Sequence, residues 1–111
     1  MKLPNYDNAF IDIRKLRDYC LNSRHPVGRH KARVFKAILG MEQKDAELLK
    51  ERILRALPHS EASVSYEDDF GTRYMVEVQL HNDEHFATVV TVWMIPKGSK
   101  KTHLVTCYAK N

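Results

Sequence analysis

The sequence predicts an α+β fold in which three N-terminal helices pack on one four-stranded antiparallel meander sheet. The spacing of apolar residues carries this prediction, because it is helical as far as Pro58 and alternates with a period of two beyond it. Short polar connections separate the later strands and favour hairpins, which join antiparallel neighbours. A chain of 111 residues with 43% hydrophobic residues has room for one core, so we expect residues 1–111 to form a single domain.

The three helices are indicated by apolar stripes and by residues typical of helix ends. Asp12 can cap the first helix. The second begins near Gly28, in the turn that follows Pro26, and Gly40 is a natural stop for it. The third runs from about residue 43 to residue 57 and ends at Pro58.

Four segments after Pro58 have the composition of β-strands. They are residues 62–66, 74–80, 86–95 and 102–109. The third is apolar or β-branched on both faces, which is typical of a central strand. We expect the helices to cover one face of the sheet and the other face to be at least partly open to solvent or a ligand.

Composition excludes several classes of protein. Cys20 and Cys107 lie far apart without CxxC spacing, so the sequence predicts buried free thiols in a reducing compartment. No metal or cofactor motif is present, and we expect neither. No apolar stretch approaches the ~18 residues of a membrane span, and the start lacks a signal peptide. These observations favour a cytoplasmic protein without a membrane partner.

The positive charge is concentrated in the first third of the chain. Residues 1–40 contain nine Lys/Arg and three Asp, whereas residues 41–111 contain nine Lys/Arg and eleven acids. Residues 24–36 include five cations and no acid, namely Arg24, Arg29, Lys31, Arg33 and Lys36. Such a stretch attracts polyanions, above all nucleic acid. The alternative is a solvated helix face that keeps the protein soluble.

The same stretch also holds two histidines at the start of the second helix. Metal-free RNA cleavage needs a base, an acid and cations that stabilise the phosphorane, and His, Arg and Lys suit these tasks. The candidate catalytic residues here are His25, Arg29 and Lys31. A structural cap is an equal alternative for His25. Candidates for nucleic-acid binding alone are Arg24, His30, Arg33, Lys36 and Trp93, although Trp93 also suits core packing.

The last strand offers hydroxyls that could complete a polar cleft opposite the basic helix. Thr106 and Tyr108 are the candidate catalytic residues there, and Thr91 lies on a strand that could be adjacent. Without such a partner surface, the basic stretch remains a charged helix face.

The chain resembles an uncharacterised bacterial family of small domains. The resemblance rests on the His-Pro-x-Gly-Arg-x-Lys-Ala element that begins at His25 and on Leu-Val-Thr-Cys-Tyr, which ends at Tyr108. His30 replaces the usual aromatic or apolar residue between Arg and Lys, and Ala109 replaces the usual proline after the final tyrosine. The order of helices and strands is similar to the barnase–EndoU–colicin–RelE superfamily of ribonuclease toxins.

The resemblance implies a metal-independent endoribonuclease that acts through attack of the 2′-OH and leaves a 2′,3′-cyclic phosphate. It also implies that the protein is the toxin of a toxin–antitoxin pair, with an antitoxin or immunity protein as partner and RNA as substrate. On this interpretation His25, Arg29 and Lys31 form the helix side of the site, and Thr106 and Tyr108 form the sheet side. Two alternatives remain: a non-catalytic RNA- or protein-binding module, and an enzyme for a small phosphorylated metabolite.

Overall fold

A computed structural model describes residues 1–110 as an α+β fold with three helices and a four-stranded antiparallel sheet. The first helical segment is α1 (Ile13–Lys15), continued by a π-helical turn (Leu16–Cys20). The other helices are α2 (Arg29–Leu39) and α3 (Ala46–Ala56). The strands are β1 (Ala62–Asp68), β2 (Gly71–Asn82), β3 (His85–Pro96) and β4 (His103–Ala109), in the spatial order β1-β2-β3-β4. The predicted meander is therefore confirmed.

The position of the helices in the chain corrects the expected order, because they lie in its middle and not at its N-terminus. The chain begins with extended backbone and a short 3-10 turn, Tyr6–Asn8. Phe10 then pairs with the start of β4, where its N–H donates to the Thr102 carbonyl at 2.8 Å and its carbonyl accepts from Leu104 at 3.0 Å. Leu3 and Ile11 are buried on either side of the turn, so core packing fixes this segment in a non-helical form.

The first helical segment begins as predicted but changes its geometry. Asp12 caps it through a hydrogen bond from the Arg14 N–H at 3.0 Å. After α1 the backbone widens, and the Leu21 N–H donates to the Leu16 carbonyl, five residues back. The π-helical turn buries both Leu16 and Cys20, and it directs the latter towards β4.

Helix α2 begins at Arg29, slightly later than the sequence suggested, because residues 26–28 form a turn. It ends at Gly40, whose φ of 63° is the left-handed conformation expected of a C-terminal glycine. The helix buries Ala32, Phe35 and Leu39. Helix α3 is flanked by 3-10 turns and buries Ala46, Leu49 and Ile53. Among the described residues, no helix is long and apolar enough to cross a membrane.

The helices cover one face of the sheet, where alternate residues of β2, β3 and β4 form the core. Trp93 lies in this core with no exposed surface. Strand β1 departs from the expected half-buried pattern, because only Ala62 is buried and Val64 and Tyr66 are more than half exposed. The hairpin of β1 and β2 therefore projects beyond the helical layer.

Candidate functional site

Three side chains from different elements meet at the edge of the sheet formed by β4. The Lys31 ammonium of α2 donates to Thr106 Oγ1 at 3.0 Å and to the Tyr19 hydroxyl at 3.4 Å. It also lies 4.8 Å from the centroid of the Tyr19 ring, within the range of a cation–π interaction. All three side chains are partly buried. We call Tyr19, Lys31 and Thr106 the Lys31 cluster.

This cluster unites two of the predicted site residues and adds one. Lys31 and Thr106 were expected on opposite sides of a cleft, and they are in direct contact although 75 positions separate them. Tyr19 was not among the predicted site residues. A tyrosine on the helix preceding a basic helix is too common a feature to identify it from sequence.

The backbone next to Thr106 is irregular. The pairing of β3 with β4 shifts after Val92, which faces Thr106, so that Trp93 faces Leu104 and Val105 is left over. The Val105 carbonyl accepts a hydrogen bond from Lys15 Nζ at 3.3 Å. Bulges of this kind are frequent next to active sites, where they change the direction of a side chain. A second cation from the first helical segment is thereby brought close to the cluster.

His25 borders the cluster and organises the start of α2. Its Nδ1 accepts hydrogen bonds from the N–H groups of Val27 at 3.0 Å and Gly28 at 2.9 Å. Its ring lies edge-on to the ring of Tyr19, with 4.8 Å between centroids. Because Nδ1 accepts, the ring proton of the neutral imidazole resides on Nε2. His25 can therefore donate a hydrogen bond to a ligand from Nε2–H, whereas the lone pair of Nδ1 is already engaged.

Gly28 allows this arrangement because it lies against the backbone of the π-helical turn. A Cβ at this position would be 2.3 Å from the Tyr19 carbonyl oxygen, a distance that real side chains do not adopt. This contact explains why the structure requires glycine at position 28. The glycine lets the turn that follows His25 approach Tyr19 closely.

Most of the other predicted cations line a separate groove of about 700 Å³ beside α2. Arg24, Arg29, Arg33 and Lys36 all border it, and we call it the basic groove. Within residues 1–110, Lys36 is the member of this set with a carboxylate partner, Glu42 at 3.4 Å. Glu42 also lines the groove, but the three arginines give the groove a net positive charge.

The basic groove and the Lys31 cluster lie on different sides of α2. Arg29 and Lys31 are two positions apart, which is about 200° of rotation around a helix. Accordingly, Arg29 lines the groove and donates to the Pro26 carbonyl at 3.1 Å, while Lys31 contacts β4. The structure does not bring the predicted pair of Arg29 and Lys31 together. His30 lies between them in sequence and is exposed.

Two predicted residues of the sheet lie elsewhere. Tyr108 lines a shallow groove with Glu77 and Val90, and no residue of the Lys31 cluster lines that groove. Trp93 is buried in the core, where its Nε1 donates to Thr91 Oγ1 at 2.8 Å. The suggestion that Trp93 stacks on a base is thereby corrected, because its ring has no accessible face. The Thr91 hydroxyl is likewise buried and donates to the Val76 carbonyl.

The two cysteines lie directly beneath the Lys31 cluster as buried free thiols. The Cys107 thiol donates to Cys20 Sγ at 3.9 Å, and Thr106 Oγ1 is 3.8 Å from Cys20 Sγ. The hydrogen bond from Cys107 lowers the pKa of Cys20 to about 6, helped by Thr106 and Lys31 and opposed by burial. That same interaction and complete burial raise the pKa of Cys107 well above its ordinary value.

Within residues 1–110, no group of three His, Cys, Asp or Glu side chains is arranged to hold a metal ion. A family model described as a domain of unknown function, DUF6883, matches residues 2–111. No curated protein and no solved structure matches the chain. Since the family model covers almost the entire sequence, the chain belongs to the DUF6883 family.

Proposed function

We propose that this protein is a small metal-independent endoribonuclease whose reaction centre is the Lys31 cluster with His25. The observation that carries the proposal is the contact between Lys31 Nζ and Thr106 Oγ1 at 3.0 Å. It joins a cation of the basic helix to a hydroxyl of the last strand at the partly buried edge of the sheet. This is the kind of pairing that stabilisation of a phosphorane requires.

In this proposal each group has a defined task during attack of the 2′-OH on the adjacent phosphorus. The Lys31 ammonium stabilises the negative charge that develops on the non-bridging oxygens. The hydroxyls of Thr106 and Tyr19 orient the phosphate by hydrogen bonds. His25 donates a hydrogen bond from its Nε2–H to the leaving 5′-oxygen. The proton of the 2′-OH passes to water and the leaving oxygen takes a proton from water, so that the chain is cut and a 2′,3′-cyclic phosphate remains.

The basic groove serves as the path of the RNA backbone away from this centre. Arg24, Arg29 and Arg33 would contact phosphates on the far side of α2 from Lys31. Such contacts contribute affinity without base specificity, because every nucleotide carries a phosphate. Arg29, predicted to be catalytic, is assigned to binding in this proposal.

The direct test is incubation of purified protein with a fluorescently labelled RNA in the presence of EDTA. Cleavage should persist in EDTA and should leave a cyclic phosphate at the 3′ end. Lys31→Ala should reduce the rate by roughly 100-fold, in the range for loss of one charge-stabilising group. The matched control is Lys97→Ala, which removes an exposed lysine in the turn between β3 and β4. Equal rates for both variants, or intact RNA with the unmodified protein, would contradict the proposal.

A second candidate function is RNA binding without cleavage. It is favoured by the separation of the basic groove from the Lys31 cluster and by the engagement of His25 Nδ1 as a cap. With that nitrogen engaged, His25 supplies a hydrogen-bond donor but no base. This candidate predicts salt-sensitive retention of RNA that stays intact over hours, and Arg29→Ala would weaken it more than Lys31→Ala.

We also propose that this protein is a cytoplasmic toxin and that an antitoxin or immunity protein neutralises it. RNA cleavage in the cytoplasm would stop growth, so a cell that makes the enzyme needs an inhibitor. The experiment is induced expression in bacteria, alone and together with the gene adjacent to its own. Growth arrest that the neighbouring gene relieves, and that Lys31→Ala abolishes, supports the proposal. Harmless expression of the unmodified protein contradicts it.

A further inference from the structure

Cys20 and Cys107 are a closely spaced pair of thiols that the proposed reaction does not use. Cys20 ends the π-helical turn and Cys107 lies within β4, so 87 positions separate two sulfurs that are 3.9 Å apart. Both side chains have no exposed surface. A disulfide requires sulfurs about 2 Å apart, so the pair needs to close by about 2 Å to form one.

The surroundings make the two thiols unequal. Cys20 receives the hydrogen bond from Cys107 and lies beside the Thr106 hydroxyl, and the Lys31 ammonium is close enough to favour its thiolate. The pKa of Cys20 is consequently about 6, while that of Cys107 is well above its usual range. A thiolate paired with a protonated thiol is the arrangement of a nucleophilic and a resolving cysteine.

We infer that Cys20 and Cys107 are a redox-active pair that forms an internal disulfide with a small hydroperoxide as oxidant. Hydrogen peroxide is the appropriate oxidant, because the buried site restricts access to molecules near the size of water. This inference goes beyond the proposed ribonuclease activity and does not depend on it.

The chemistry balances in two steps. The Cys20 thiolate attacks one peroxide oxygen and breaks the O–O bond, which gives a sulfenic acid at Cys20 and hydroxide. The hydroxide becomes water by taking up the proton that Cys20 released to solvent when its thiolate formed. Cys107 then attacks the sulfenic sulfur, its thiol proton leaves with the departing hydroxyl, and the S–S bond forms. Two thiols lose two electrons in total, and one hydrogen peroxide becomes two molecules of water.

The disulfide would connect the two halves of the Lys31 cluster. Cys20 is adjacent in sequence to Tyr19, and Cys107 is adjacent to Thr106. A bond between them therefore fixes the π-helical turn to β4 directly beneath Lys31. Because the bond also closes a long loop, it lowers the entropy of the unfolded chain and should raise the Tm of the oxidised protein by roughly 5 °C or more.

The experiment treats the reduced full-length protein with a small molar excess of hydrogen peroxide under native conditions, followed by quenching and intact mass measurement. The expected result is the loss of two hydrogen atoms per monomer, with a non-reducing peptide map that joins the Cys20 peptide to the Cys107 peptide. Dithiothreitol should restore the original mass and Tm.

Two variants test the assigned roles and guard against a folding defect. Cys107→Ala should stop the reaction at a sulfenic acid on Cys20 that dimedone traps, and Cys20→Ala should leave Cys107 unreacted. Each variant's circular dichroism and Tm are checked first, since alanine is a small apolar replacement for a buried thiol. Lys31→Met should slow disulfide formation several-fold, because it removes the charge that favours the thiolate.

The inference is overturned if the native protein keeps both thiol hydrogens at hydrogen peroxide concentrations that oxidise a free thiol in the unfolded chain. It is equally overturned if the bond forms only between molecules, as dimers on a non-reducing gel. Because none of these measurements uses RNA, absence of the disulfide and absence of ribonuclease activity are distinguishable results.

Discussion

His25 can have two roles, a helix cap and a contact with a ligand, and each role uses a different ring nitrogen. Nδ1 accepts from the backbone N–H groups of Val27 and Gly28, which would otherwise be free at the start of α2. Nε2 is the nitrogen that can act on a ligand. A cap and a catalytic group were equally compatible with the sequence, and the geometry explains why: the imidazole can be both at once.

Substitution of His25 by asparagine should separate the two roles. The Asn side-chain oxygen can accept from the same N–H groups, so His25→Asn should keep the free energy of unfolding within about 0.5 kcal/mol of the unmodified protein. His25→Ala leaves those groups without an acceptor and should cost about 1 kcal/mol. Urea denaturation measures both.

The same two variants should behave alike in the RNA cleavage assay. If Nε2–H donates a hydrogen bond to the leaving oxygen, both substitutions remove that donor, and both rates should fall by roughly 100-fold. A stable His25→Asn protein that cleaves RNA at the original rate would show that His25 is a cap and nothing more.

The role of Thr91 as a buried hydrogen-bonding residue is visible only in the three-dimensional structure. Its hydroxyl donates to the Val76 carbonyl at 2.8 Å and accepts from Trp93 Nε1 at 2.8 Å. Thr91→Val leaves the buried indole N–H without an acceptor and should lower the free energy of unfolding by about 1–3 kcal/mol. Urea titration monitored by tryptophan fluorescence should detect the loss.

Thr88→Val is the matched control for Thr91→Val. Thr88 lies on the same strand, and its hydroxyl donates to the Gln79 side chain at 2.9 Å in an exposed pair. Water replaces such a bond, so the expected change is within about 0.5 kcal/mol. Equal losses for the two variants would mean that the buried hydrogen bonds of Thr91 contribute no more than an exposed one.

At the scale of elements, local sequence predicted the strands and the longer helices well. The turns at residues 69–70 and 83–84 and the stop at Gly40 follow from residue types that favour those conformations. The π-helical turn could not be predicted, because its register depends on burying Leu16 and Cys20 together. The pairing of Phe10 with β4 was missed for a similar reason, since the two segments are distant in sequence.

Gly28 controls how the π-helical turn and α2 approach one another. Gly28→Ala would place a methyl group 2.3 Å from the Tyr19 carbonyl oxygen, so the two segments must separate. We expect a loss of about 1–3 kcal/mol in the free energy of unfolding and a wider Lys31 cluster, since Tyr19 would move with its backbone. Thermal denaturation measures the first effect.

Gly98→Ala is the control that separates the effect of steric crowding from the effect of backbone conformation. Gly98 has open space around it and a φ of 75°, so alanine there meets only left-handed backbone strain of about 1 kcal/mol. Gly28 has an ordinary φ of −74°, and its substitution tests crowding alone. A smaller loss at position 28 than at position 98 would contradict the proposed close packing.

At the scale of the whole molecule, helical phase explains why only some of the predicted site residues lie together. The basic stretch was identified correctly as a continuous feature of the sequence, but α2 distributes its cations around the helix. Lys31 therefore reaches Thr106, while Arg29 and Arg33 reach the basic groove. Tyr108 is two positions from Thr106 and lies on the same face of β4, but it lines another groove with Glu77 and Val90.

The division of α2 into two sides leads to a prediction about salt dependence. Single-stranded nucleic acid loses affinity with a slope of about −0.7 per phosphate contact when log K is plotted against log salt concentration. The double variant of Arg29→Ala and Arg33→Ala should weaken RNA binding and make that slope shallower by about 1.4. Fluorescence anisotropy with a labelled, uncleavable 2′-O-methyl RNA, between about 50 and 200 mM salt, provides the measurement.

Lys31→Ala and the double variant of Lys97→Ala and Lys101→Ala complete this experiment. Lys31 is already engaged with Thr106 and Tyr19, so its removal should change the slope by less than one contact. The same variant should cleave unmodified RNA roughly 100-fold more slowly. Lys97 and Lys101 are exposed lysines near the β3–β4 turn. Their removal also subtracts two positive charges, but at another site. If net charge alone governed binding, both double variants would flatten the slope equally. If the groove binds the RNA backbone, only the arginine pair will do so, because counterions are released where the phosphates lie.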